Sequence, residues 1–135
     1  MKKIFILAIL FYSTVNMFAQ KYQPFKSQDG VDFSNAWLKP GFTEGKPVEL
    51  LFKIKNNNKY AVLLTYSVDY YLNGELKESV ELYYCLKAKK TATGKLNGLF
   101  FISEKLTNEQ ILSKGFKWEL NDLKVKEVTD CTKYK

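Results

Sequence analysis

The chain is 135 residues long with a formal net charge of +7, and it is 46% hydrophobic and 16% aromatic. That is enough apolar matter for one real core and too short a chain for two domains. It has no His and only two Cys, which excludes Ser-His-Asp and Cys-His nucleophile systems, His-based zinc sites and a Cys-only structural zinc site.

The first segment reads as an export signal over residues 1–19. Lys2-Lys3 is a positive n-region, Ile4 to Tyr12 is an unbroken apolar run, and Ala19 is a small residue at a cleavage point before Gln20. Nine apolar residues are too few to cross a hydrocarbon core that needs about 20 in a helix. Ser13, Thr14 and Asn16 then end the run, so no membrane anchor is expected. The remaining 20–135 should form a single domain, secreted or periplasmic.

Gln20 to Gly30 lacks periodicity and reads as an N-terminal lead-in. Val31-Asp32-Phe33 and Ala36-Trp37-Leu38 suggest a first strand, stopped by Lys39-Pro40-Gly41. Val48 to Lys55 is the clearest strand: Val48, Leu50, Phe52 and Ile54 share one face, while Glu49, Lys53 and Lys55 share the other. One charged face means an antiparallel sheet open to water on one side. Asn56-Asn57-Asn58 is a polar turn.

Tyr60 to Tyr71 and Glu75 to Leu86 form a long hairpin about Asn73-Gly74. A two-residue loop would set Asp69 against Glu78. A three-residue loop, Leu72-Asn73-Gly74, pairs Tyr66 with Val80, Leu64 with Leu82, Leu63 with Tyr83 and Asp69 with Lys77. Because a one-residue slip moves every side chain to the other face, the three-residue loop is the expected register. Glu78, opposite Val68, remains its one poor pair.

Thr107-Asn108-Glu109-Gln110 has the form of a capping box and predicts a two-turn helix from Asn108 to Lys114, stopped by Gly115. Phe116 to Leu120 alternates, and Leu123 and Val125 resume in the opposite phase, so a bulge or bend is expected near Asn121-Asp122. About seven regularly spaced strands with one short helix predict an all-β, immunoglobulin-like antiparallel β-sandwich.

Cys85 and Cys131 read as one disulfide in an exported chain. The hairpin phase places Cys85 on the outer face, so the bridge would hold the C-terminal tail rather than join two sheets through the core.

Several features together, Phe52-x-Ile54-x-Asn56-Asn57-Asn58-x-Tyr60-x-Val62, Asn73-Gly74, the single Cys85, Gly98-Leu99-Phe100 and Phe116-x-Trp118-x-Leu120, resemble small secreted proteins of Bacteroidota. The leader ending in Phe18-Ala19-Gln20 is similar to their export signals. The resemblance implies an immunoglobulin-like sandwich and carries over no catalytic or binding residue.

Every basic residue is Lys, a point charge that lacks the planar fork Arg uses to read guanine edges and phosphates, and the lysines are scattered, with only Lys87-Lys89-Lys90 and Lys124-Lys126 approaching a cluster. No nucleic-acid partner is expected. No phosphate-binding loop or calcium loop is recognisable, Asp29-x-x-Asp32 being too sparse, so neither a cofactor nor a metal is expected.

The candidate binding residues are Leu63, Tyr71 and Tyr83, which lie on the nominally polar face of the hairpin and could form a platform for a sugar ring or a protein. Trp37 and Trp118 are assigned to the core. The leading expectation is a non-enzymatic exported sandwich that binds an extracytoplasmic protein or glycan through its surface. Two alternatives stand beside it. One is a small hydrolase or inhibitor-type module using carboxylates such as Asp69 with Glu78 or Glu81. The other is a structural accessory domain of an envelope assembly.

Overall fold

The computed structural model describes residues 21–40 and 45–135; the expected leader over 1–19 lies outside the described residues. Two antiparallel sheets pack into an all-β sandwich. One has the order β1 (Gln23–Gln28), β2 (Val31–Leu38), β3 (Glu49–Asn56) and β6 (Thr91–Thr93), with β7 (Phe100–Ile102) pairing farther along the same edge of β3. The other has the order β5 (Glu75–Leu86), β4 (Ala61–Leu72), β8 (Phe116–Val128).

The expected lead-in contains a strand. Asp29 and Gly30 both have positive φ, 48° and 77°, and close a two-residue turn that pairs Gln28 with Val31. An Asp-Gly pair is a strong hairpin signal, and it operates here without an alternating apolar pattern before it.

The phase read from the sequence for β3 and β4 is the phase observed. Val48, Leu50, Phe52 and Ile54 are buried, as are Val62, Leu64, Tyr66, Val68 and Tyr70 opposite them. Phe33 and Phe52 meet Tyr66 edge-on, with ring centroids 6.0 and 6.2 Å apart. Burial raises the Tyr66 phenol to about 12. Trp37 and Trp118 pack against the core, as expected, and stack edge-on at 6.4 Å, but they are only partly buried, beside a surface concavity shared with Lys39, Leu112 and Lys117. Each sits near an open edge of its sheet, where packing covers one side of the ring.

The hairpin register also needs correction. Asn73 and Gly74 both have positive φ, so the loop has two residues and Leu72 pairs with Glu75. A bulge at Lys77 then shifts β5 by one, and Tyr70 pairs with Glu78. Beyond the bulge Asp69 faces Ser79, Tyr66 faces Leu82, Leu63 faces Cys85 and Thr65 faces Tyr83. The extra residue that alternation requires sits in the strand, because a two-residue turn of this type matches strand twist better than the longer loop. Glu78 is thereby explained. It is buried beside Tyr70, and its carboxylate accepts hydrogen bonds from the Ser103 hydroxyl and, at 3.0 Å, from the Glu104 N–H.

The expected bulge in β8 is present: pairing with β4 shifts between Thr65 and Ser67, and Asp122 has φ +53°. The capping box at Thr107 and Gln110 forms, but α1 is a single turn, Asn108–Ile111. Lys26 and Gln28 of β1 donate to the Leu120 and Leu123 carbonyls of β8, at 3.4 and 3.0 Å, which ties the two sheets together along that side.

Candidate functional site

Alternation along β4 turns Leu63, Thr65, Ser67, Asp69 and Tyr71 to the outer face of the three-stranded sheet. This face divides into two zones.

Toward the hairpin tip, Asp69 accepts hydrogen bonds from the Ser79 hydroxyl at 2.5 Å and the Asn121 amide at 2.7 Å. The same amide reaches Glu119 at 3.3 Å. Asp69 and Glu119 are direct cross-strand partners, and neutral donors hold these like charges side by side. Partial burial, and then the Glu119 and Asp69 carboxylates, raise the Tyr71 phenol above its ordinary value. Tyr71 thus stands beside the Asp69–Asn121–Glu119 network.

Toward the other end, the β8 bulge opens a concavity of about 330 Å³ lined by Thr65, Ser67, Glu81, Tyr83, Asp122 and Lys124. Tyr83 is 64% exposed at its border. Leu63 is half-buried one position along, with Cys85 and Lys126 as its cross-strand partners. Leu63 and Tyr83 are thus diagonal neighbours, while Tyr71 lies six residues along β4 from Thr65, roughly 20 Å away. The three candidates do not share one platform.

Sequence reasoning missed Thr65, Glu81, Asp122 and Lys124 as neighbours of Tyr83. Strand alternation and the expected bulge at Asn121-Asp122 carried the signal, but the hairpin register placed Leu63 rather than Thr65 opposite Tyr83.

The carboxylate pairs also resolve. Glu78 faces inward and is committed to the Ser103–Glu104 loop, so it cannot work with Asp69 on the outer face. Glu81, opposite Ser67, instead shares the concavity with Asp122, and both are exposed. Among the described residues, no three acidic, Cys or His side chains converge on a point where a metal could bind.

Cys85 and Cys131 are bridged, with an S–S distance of 2.07 Å and Cα atoms 5.5 Å apart. Cys85 lies on the outer-face side, as its phase requires. The bridge brings the terminal 3₁₀ turn, Thr132–Tyr134, against the end of β5, and Tyr134 and Lys135 border a second concavity that also includes Tyr83.

Comparisons with known protein families, with curated proteins and with solved structures found no match to this chain.

Proposed function

We propose that the protein is exported and binds a glycan at the concavity beside Tyr83. The observation that carries this reading is the pairing of one exposed aromatic ring with surrounding hydroxyls and charges. A sugar offers an apolar C–H face to a Tyr ring and hydroxyls to Thr65, Ser67, Glu81, Asp122 and Lys124. A protein interface would call for a contiguous apolar patch. Leu63 is half-buried and Tyr71 is remote, which weighs against that alternative. Export is supported by the leader-like sequence and by the bridged cysteines, which persist in oxidising compartments. Among the described residues no helix is long and apolar enough to cross a membrane.

Screening the secreted form against immobilised oligosaccharides should find a ligand. Tyr83→Ala should weaken its binding about tenfold, in line with the loss of one aromatic stacking contact. Leu76→Ala, an exposed site near the far tip of the same hairpin, should leave it unchanged. No binding to any saccharide, or equal binding by the Tyr83 variant, would overturn the reading.

A hydrolase is the second reading, because Glu81 and Asp122 border one concavity. It is less favoured because both carboxylates stand open to water at the rim of a shallow hollow rather than facing each other across an enclosed cleft. Release of reducing ends from a bound oligosaccharide, abolished by Glu81→Gln, would decide for it.

A further inference from the structure

Lysines from three separate segments of the sequence converge at one end of the sandwich. Asn56, at the end of β3, is wholly buried and donates its amide to the Tyr60, Leu86 and Lys87 carbonyls at 2.9, 3.2 and 3.1 Å. The Asn56 N–H donates to the Lys90 carbonyl at 2.9 Å, and the Lys89 N–H donates to the Asn58 carbonyl at 3.2 Å. These bonds set the turn carrying Lys59 beside the turn carrying Lys87, Lys89 and Lys90. The disulfide adds Lys135 from the tail. None of these five lysines is ion-paired with a described residue.

The surface between them is furrowed. One concavity, about 480 Å³, lies among Tyr83, Lys87, Lys90, Tyr134 and Lys135. A larger one, about 730 Å³, lies between Lys59, Tyr60 and Lys87 on one side and Glu127 and Asp130 on the other. Lys87 borders both, and Tyr83 borders the first as well as the outer-face concavity. The three concavities therefore adjoin one another past the end of β5, with Tyr83 and Lys87 as their shared borders. From Tyr83 to Lys87 alone is four residues of chain, roughly 13 Å, longer than a single sugar ring.

We propose that the ligand is an anionic polysaccharide bearing carboxylate or sulfate groups. It would lie along this furrow from Tyr83 toward Lys59 and Tyr60. The inference rests on the glycan-binding reading above and names the class of glycan. Lysine ammonium groups are mobile point charges suited to anions spaced along a chain. Tyr60, which is 40% exposed, Tyr83 and Tyr134 provide ring faces between them. A membrane surface is flat and would engage a convex basic patch, whereas these lysines flank hollows.

The test titrates the secreted protein with a sulfated glucosamine–uronate dodecasaccharide, a galacturonate dodecamer, a neutral glucan oligomer and phosphatidylglycerol vesicles. At least one anionic oligosaccharide should bind, and its affinity should fall steeply with salt. Lys87→Gln/Lys90→Gln/Lys135→Gln should weaken that binding about tenfold or more, as the sum of several exposed charge contacts. Lys46→Gln/Lys105→Gln/Lys114→Gln removes the same charge from exposed positions around α1 and should have little effect.

Equal weakening by the two triple variants would reduce the effect to net charge and overturn the proposal. Binding confined to the neutral oligomer, sensitive to Tyr83→Ala but not to the lysine changes, would overturn the anionic class and leave the glycan reading standing. Failure of every saccharide to bind would bring down both. Lysine-dependent binding to vesicles without binding to saccharides would also overturn the proposal, in favour of a lipid surface.

Discussion

Asn56 is a single side chain on which three segments depend. It continues the inward phase of Phe52 and Ile54, yet it is polar and has no exposure. Its amide serves the carbonyls of Tyr60, Leu86 and Lys87, while its carbonyl accepts the Asn58 N–H at 3.0 Å. Removing such a group strands several buried partners, and the cost of stranding exceeds the net worth of the bonds. Asn56→Ala should destabilise the fold by about 2–4 kcal/mol in urea denaturation. Asn56→Asp should be worse at neutral pH, since a carboxylate would face three carbonyls. That excess should shrink on acidification, because the protonated acid can donate. Equal stability of the Asp variant at pH 4 and pH 7 would refute this account.

Among the elements, β8 shows how one residue sets the phase of a strand. Phe116, Trp118 and Leu120 precede the bulge and Leu123 and Val125 follow it, and both groups pack against the core only because Asp122 is extra. Deleting Asp122 would drive Leu123 and Val125 outward and Lys124 and Lys126 inward, or force the strand to slip. Either outcome should cost about 2–3 kcal/mol, from the burial lost by two partly buried aliphatic side chains. Asp122→Gly should be neutral or stabilising by up to about 1 kcal/mol, because glycine adopts φ +53° without steric cost. Denaturant midpoints of the two variants separate these effects. A well-folded deletion variant would mean that the bulge does not set the phase. The Lys77 bulge of β5 does the same work in the hairpin.

On the scale of the molecule, the disulfide governs the tail and with it one wall of the furrow. It closes a 46-residue separation, for which chain-entropy reasoning gives a ceiling of roughly 4 kcal/mol. A released tail regains freedom without unfolding the sheets, so the actual loss should be smaller. Cys131→Ser, or reduction, should lower the melting temperature and expose residues after Val128 to protease, with the two-sheet core still folded. Global unfolding on reduction would contradict this. The same variant should weaken anionic-glycan binding, because Tyr134 and Lys135 would no longer stand beside Lys87 and Lys90.

Much of the fold was legible because strand faces are local. Alternation alone placed Phe52, Leu64, Tyr66 and Cys85 on their correct sides, a change of phase marked the bulge before Leu123, and Thr107-x-x-Gln110 marked the helix start. Register was not legible for the same reason. From Glu78 onward the expected and observed hairpins differ by a slip of two residues, which keeps each of those side chains on its face. Only cross-strand pair energies of tenths of a kilocalorie distinguish them. The buried contacts of Glu78 with the Ser103–Glu104 loop, distant in sequence, accompany the observed choice. The concavity beside Tyr83 follows from that register and was hidden with it. The lysine cluster was legible only in part: Lys87, Lys89 and Lys90 are close in sequence, but Lys59 and Lys135 join them only when Asn56 and the disulfide bring their turns to one end. Local pattern determines which way a side chain faces; long-range packing decides what it meets.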